Sequence, residues 1–476
     1  MHTFVSTPFR SQVGQLLRLA APMIGMTVSR MAMGFIDFLM VSQLGTAAQA
    51  AISPATVLVF SVVCIGMGAA SSVQTFASQS DGRGEPEQGS GYAWQTVYIG
   101  FVLMLLVWPI ITVVAPFFNW VGELAGHDPQ VRRLEIEYTE IALWCAMPSV
   151  VCAGLNGFFN GIQRPSVSLV AVLVSLVFNV VANYALIFGN LGFSEMGIRG
   201  AAVATVLAWW VRAAVLLVIF CSAKIDARYG THHSMAPNST KLVRILRIGG
   251  PISLQWMLDI LAWTVFMIVI IPPYGIAAMA ASNACLQYLH LSFMPAVGLG
   301  MALCTQVGFS IGEGRLDDAV ARTRVAAFVT TLYMGSAGVF FYFGRHVLME
   351  FMTIGGDGAL RMEVIEAGTL VLTWAAVFQV FDALNVTYSN ALQGAGDTRF
   401  TALTSAICCW GVFIGGAEWA SRHLEGWFLN GPWLMCTLYI VFLGCLLAWR
   451  FQSGAWRGID VFGSCGVVER PIIETE

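Results

Sequence analysis

The segment LLRLAAPMIGMTVSRMAMGFIDFLMVSQLGTAAQAA, from Leu16, reads against ILRIGGPISLQWMLDILAWTVFMIVIIPPYGIAAMAA, from Ile245. Pro22 pairs with Pro251, 229 positions on, and each stretch runs to a glycine (Gly45, Gly275) before an alanine-rich restart. Further along, FFNGIQRPS from Phe158 answers ALQGAGDTRF from Ala391, with Gly161 and Gly394 separated by 233 positions. One register therefore holds across half the chain. A duplicated apolar chain with isolated carboxylates inside its apolar segments has the pattern of a transporter.

Composition supports that class. Of 476 residues, 57% are hydrophobic and 11% charged, against about 25% charged in an ordinary soluble domain. Apolar windows of about 20 residues, each long enough for a bilayer core of roughly 30 Å, recur along the chain. They predict twelve spans at 16–43, 50–77, 92–118, 134–154, 161–189, 197–221, 246–272, 278–308, 321–344, 362–391, 400–420 and 428–450. Alternation of period two is missing, which disfavours a β-barrel. The expected fold is thus an all-α integral membrane protein with its twelve transmembrane helices in two pseudo-symmetric six-helix bundles.

The polar start MHTFVSTPFRSQ lacks a basic region, short apolar core and cleavage site, so the first span is expected to be permanent. The eleven cysteines are scattered, mostly within spans, and read as small packing residues. With both termini on one side, sixteen Lys/Arg residues fall there and six on the other, while Arg30 and Arg212 lie within spans. The positive-inside rule then makes both termini cytoplasmic, in a multi-pass protein of the cell inner membrane.

The domains expected are an N-terminal lobe (1–222), a cytoplasmic linker (223–244), a C-terminal lobe (245–452) and a cytoplasmic tail (453–476). Six spans per repeat make the repeats parallel, related by an axis along the membrane normal, with the substrate path between them. ASQSDGRGEPEQGSG after the second span and GFSIGEGRLDDAVA after the eighth read as matching polar turns. His232 and His233, adjacent in the linker, read as solvated rather than as a metal site.

Asp37 lies in GFIDFLMV with apolar residues on both sides. A carboxylate at that depth costs a few kcal/mol unless it faces a cavity, finds a partner or is protonated. Arg30, seven residues earlier on the same face, is a candidate partner. Asn179 and Asn183 point the same way from the fifth span, and Thr205 adds a hydroxyl on the sixth. Together they could hold a small hard cation, or hydrogen-bond a carboxyl that gains and loses a proton. The second half has Asp259 and Asp382, each alone in an uncharged run, with His290, Asn283, Gln287, Gln379 and Asn385 as further polar lining. No GxxxxGK[ST], HExxH or GxSxG occurs, so no enzymatic activity is expected and a gradient must supply the energy. No basic patch with interleaved aromatics points to nucleic acid.

These segments resemble the multidrug and toxic compound extrusion (MATE) family, in its bacterial NorM-like branch. The resemblance is carried by LAAPMIGMTVSRMAMGFIDFLMVSQLG, NVVANYALIFGNLGFSEMGIRGAAVATVLAWW, GGPISLQWMLDIL, TQVGFSIGEGRLDDA and FDALNVTYSNALQGAGDTRF. It implies export of lipophilic organic cations by antiport with Na⁺ or H⁺, through alternating access, with no bound cofactor and a monomer as the working unit. It implies ion or proton coupling at Asp37, Asn179, Asn183 and Thr205 in the N-lobe and at Asp259 and Asp382 in the C-lobe, with Na⁺ at Asp37 or at the Asp259/Asp382 pair. Two departures from the family stand out. Asp259 is one methylene shorter than the usual glutamate, and Phe378 replaces a tyrosine and offers no oxygen. Both weaken a C-lobe Na⁺ site. A lipid-linked precursor flippase of the same architecture is the alternative reading. It would favour more cationic cavities.

Overall fold

The computed structural model describes residues 9–125, 128–353 and 358–463. Among them there is no strand, and twelve helices are long and apolar enough to cross a membrane. They are α1 (Phe9–Ser42), α2 (Thr46–Gly82), α3 (Pro86–Trp120), α4 (Pro129–Gly161), α5 (Pro165–Ile187), α6 (Ile198–Phe220), α7 (Ser239–Tyr274), α8 (Ile276–Gly312), α9 (Leu316–Met352), α10 (Leu360–Ala395), α11 (Thr398–His423) and α12 (Asn430–Gln452). The ends lie up to about eight residues from the expected ones. The ninth span runs furthest past its expected end, to Met352, and at the fourth, helix runs on to Gly161 and α5 starts only at Pro165, a proline in the first helical turn where its missing N–H costs nothing.

The chain packs the same way twice. In the first bundle α1 lies on α5, α5 on α6, and α4 on α2, α3 and α6. In the second, α7 lies on α11, α11 on α12, and α10 on α8, α9 and α12. The bundles exchange equivalent contacts as well: α1 packs on α8, and α7 packs on α2.

Glycine places the pseudo-two-fold axis. A Cβ on Gly82 would fall 2.3 Å from the Phe309 carbonyl oxygen, and one on Gly312 would fall 2.3 Å from the Gln79 carbonyl oxygen. Gly82 and Gly312, like Gln79 and Phe309, are 230 positions apart, so each repeat presses its glycine against the other's backbone. The same exchange recurs deeper, where Gly68 abuts Ser253 of α7 and Gly298 abuts Ile24 of α1. Only residues without a side chain let two helices approach this closely. The turns beyond use Gly84 (φ 74°) and Gly314 (φ 75°), left-handed positions that glycine takes without strain.

This seam lies at the face from which α1 starts, here the proximal face. Gln74 donates to the Met301 carbonyl (2.7 Å) and to Thr305 Oγ1 (3.0 Å), Thr75 to the Gln393 carbonyl (2.8 Å), and Gln79 to the Gly394 carbonyl (2.9 Å). The polar stretch after the second span thus starts as buried helix, with Gln79 in the seam, before the turn its composition suggests, at Arg83–Glu85. The matching stretch after the eighth span is likewise helical to Gly312. Polar residues mark an interface here because their partners are backbone carbonyls of the other repeat.

Towards the opposite, distal face the bundles part. Asn283, Gln287 and His290 continue the stripe of α8 that carries Gly298, yet all three are exposed. On α1 the stripe from Ile24 leads to Val28 and Phe35, also exposed. A cleft between the bundles is thus sealed proximally and open distally.

Segments outside the bundles brace the proximal face. After α12 the chain crosses to the first bundle, where Phe462 packs edge-on against Phe76 and Tyr92 and Asp460 pairs with Arg83 (3.5 Å). In the linker, a short helix (Ala223–Tyr229) precedes a turn in which Asp226 accepts from the His232 N–H (2.8 Å) and pairs with its imidazole (2.8 Å). Those contacts, the backbone one foremost, hold the Asp226 carboxyl down at about 2. His232 and His233 are both exposed, in keeping with the solvated reading, and His232 has a carboxylate partner besides. The linker is also tied down, with Trp94 donating to the Thr231 carbonyl (2.8 Å).

Candidate functional site: a polar chamber in each bundle

The first bundle closes around Asp37. Asn183 Nδ2 donates to Asp37 Oδ1 (2.5 Å) and to Asn179 Oδ1 (3.2 Å). The i, i+4 spacing on α5 makes this chain possible. Thr205 stands beside the carboxylate while its own hydroxyl donates to the Ala201 carbonyl (2.9 Å). All four residues singled out from the sequence therefore meet, drawn from α1, α5 and α6. Buried Asn183 Oδ1 and Asn179 Nδ2 have no hydrogen-bond partner among the described residues. They leave an acceptor and a donor ready at the carboxylate, with the amide orientation assigned from the network.

Sequence reasoning missed two neighbours, Tyr138 on α4 and Thr56 on α2, which meet behind Asp37. Tyr138 lies in EIEYTEI, a stretch polar enough to pass for a loop flank. The cavity in front of Asp37 holds about 170 Å³ and is lined by Arg30, Asp37, Ser175, Thr205, Trp209 and Arg212, among others. Arg30 does not pair with Asp37: no salt bridge joins them, and the carboxylate's partner is an amide. Seven residues of helix separate the two side chains by about 10 Å along the axis, and each takes its own partners.

The second bundle holds a different set. Asp259 on α7 accepts from Ser405 Oγ of α11 (3.2 Å), with Cys409 one turn further. Asp382 on α10 accepts from Asn385 Nδ2 (3.3 Å). Tyr439 on α12, buried and stacked on Phe413 (centroids 5.5 Å apart), stands near enough to both carboxylates to feel their charge. Ser405 sits just before a π-helical segment of α11, Cys408–Gly415. Such wide turns interrupt the regular ladder and often mark functional positions. Nothing in the local sequence pattern announces Ser405, Cys409 or Tyr439.

The weaker cleft candidates divide. Asn283, Gln287 and His290 line the open stripe of α8. Asn385 belongs to the Asp382 chamber. Phe378 lies in the core of the second bundle, and buried Gln379 donates to Ser292 Oγ of α8 (2.7 Å), so these two are removed from the cleft lining. An amide in an apolar helix is served by whichever helix packs on it, which the sequence does not show. Among the described residues no cluster of three or more His, Cys, Asp or Glu side chains stands together. A larger cavity of about 490 Å³, bordered by Arg324, Tyr388 and Arg457, lies at the proximal rim, and neither chamber's aspartates line it.

The geometry can be set beside known proteins. The MatE family profile matches twice, at residues 22–185 and 251–415, one copy per bundle. A probable multidrug resistance protein NorM from Rhizobium meliloti is 30% identical over 440 residues, covering 91% of this chain and 92% of its own. A multidrug resistance protein NorM from Burkholderia vietnamiensis is 29% identical over 442 residues, covering 91% and 92%. A solved structure of an outward-facing multidrug resistance MATE family transporter superposes with a TM-score of 0.83 at 19% identity, covering 94% and 97%. Two profile matches over two equivalent bundles, together with relatives aligned almost end to end, show that the chain belongs to the MatE family.

Proposed function

We propose that this protein is a multidrug efflux transporter that exports lipophilic organic cations by antiport with Na⁺ or H⁺. The observation that carries the reading is the Asp37 chamber. It is a carboxylate inside a membrane helix, held by a neutral amide and facing a cavity, with no basic residue paired to it. Such a group can be occupied by a drug cation, a proton or a Na⁺ ion, one at a time, and that competition couples two fluxes. Asn183 Oδ1, an unpartnered acceptor beside the carboxylate, suits either ion.

Alternating access follows from rocking the bundles about the glycine seam, with the proximal face on the cytoplasmic side of the inner membrane. In the sealed-proximal form drug leaves distally as the coupling ion enters. Asp259 and Asp382 supply a second ion site. Asp259, held by Ser405, and Asp382, held by Asn385, are each a buried carboxylate with a neutral partner, which a cation or proton can neutralise.

The test is ethidium efflux from cells lacking their major pumps, with a Na⁺ gradient and then a pH gradient as the only driving force. Efflux should follow one gradient and be lost in Asp37→Asn with protein still in the membrane. Full efflux in that variant sinks the assignment.

A further inference from the structure

The cavity beside Asp37 also holds two guanidinium groups. Arg212 is 5% exposed, its buried Nε has no hydrogen-bond partner, and no acidic side chain pairs with it among the described residues. Arg30, itself exposed, lines the mouth of the same cavity without a salt bridge or side-chain hydrogen bond among the described residues. The two meet over one ring. The Arg30 Cζ stands 5.9 Å from the Trp209 centroid and the Arg212 Cζ 5.4 Å from it. A cation at that depth costs about 3 kcal/mol even before a like charge is added. Cation–π contact at a shared indole returns only part of that. Natural chains keep such groups where an anion completes them, and a guanidinium is built to take a carboxylate or phosphate through paired N–H donors.

We propose that this cavity is an anion-binding subsite in which Arg30 and Arg212 take the carboxylate or phosphate of an aromatic solute lying against Trp209. The inference rests on the efflux reading and narrows its substrate class to compounds that carry an acidic group besides any cationic centre. Asp37, about two helical turns from Arg30 along α1, is left free for a cationic centre or the coupling ion. The cavity of about 170 Å³ fits the acidic head and an adjoining ring while the rest of the solute lies in the open cleft.

The test is equilibrium binding, by fluorescence anisotropy on purified full-length protein, of a rhodamine bearing a free carboxylate and of its ethyl ester. The two share one cationic ring system and differ at the acidic group. Wild type should bind the acid about tenfold more tightly than the ester, the scale of a charge-assisted hydrogen-bond pair. Arg212→Gln and, separately, Arg30→Gln should bring the two dyes together by weakening the acid alone. Arg212→Lys should keep part of the preference. Equal binding of acid and ester by wild type overturns the proposal, as does a preference that survives both glutamine variants. Chloride or inorganic phosphate that raises the melting temperature of wild type and not of Arg212→Gln, without any acid preference, shows a free inorganic anion and overturns the organic assignment. Binding needs no gradient. An acid preference in a protein that drives no efflux therefore refutes the transport reading and leaves the subsite standing.

Discussion

The two bundles keep one packing plan and opposite charge. Arg30 stands eight residues after Pro22, and Asp259 stands eight residues after Pro251, so a guanidinium in one repeat occupies the register position of a carboxylate in the other. The first chamber holds one acid and two cations. The second holds two acids, and the apolar helices around it contain no Lys or Arg between Arg247 and Arg315 or between Arg361 and Arg399. Duplication fixed the contacts that make the fold, because both copies must press the same glycines across the same axis. The chambers lie off the axis and face different partners, so their polar residues were free to diverge. The lobes are therefore expected to do different jobs, the first binding solute and ion together and the second binding ions.

Where the repeats must stay equivalent, breaking either copy should do the same harm. Gly82→Val and Gly312→Val each force a side chain into a carbonyl 2.3 Å away. Each should lower stability by about 1–3 kcal/mol, or more where backbone cannot move. Both should cut monodisperse yield in fluorescence-detected size exclusion. A variant with wild-type melting behaviour would remove the seam from the argument.

Where the repeats differ, equivalent treatments should give unequal results. Asp37→Asn should abolish gradient-driven efflux of organic cations, since an amide carries no charge to balance a cation and no proton to exchange. Asp382→Asn should leave drug binding intact while uncoupling it from the ion, so that ethidium affinity is unchanged and uphill efflux falls at least tenfold. Loss of binding in both would erase the division of labour. A finer probe is the phenol in each chamber. Tyr439→Phe, removing a buried hydroxyl in the chamber of two acids, should slow efflux several-fold, whereas Tyr138→Phe behind Asp37 should cost about threefold or less, consistent with about 0.6 kcal/mol for a polar contact between membrane helices.

The smallest effect is expected outside both chambers. The Asp226 carboxyl is held at about 2, below its ordinary value near 3.9. A depressed carboxyl contributes stability above about pH 4 that is lost only as pH falls towards 2. The Asp226 carboxyl is therefore ionised throughout the range in which transport is assayed. His232→Ala should leave the pH profile of efflux between about pH 5.5 and 8 unmoved, and any shift there would place a coupling group in the linker.

Much of this was legible in the chain. Twelve spans, their pairing into two parallel repeats and the shared face of Asn179 and Asn183 follow from hydropathy, a 229-residue register and helical spacing. Those signals are local or periodic, and a bilayer enforces them because every backbone polar group must be satisfied within its own helix. Composition found the turn after the second span but misled about Gln79 just before it, whose partner lies more than 200 residues away. Gln379 misled in the same way, being satisfied by Ser292 of another helix.

By itself, then, the sequence determined that the chain spans a membrane twelve times in two copies of one plan, and that a few acids lie where lipid would reject them. Tertiary structure alone decided which polar groups meet. Arg30 turns from Asp37 to share Trp209 with Arg212, Ser405 reaches Asp259 from another helix, and the glycines of separate repeats close on each other's backbone. The reason is physical. Hydropathy sets how deep a residue lies, whereas the helix that packs beside it sets what it touches.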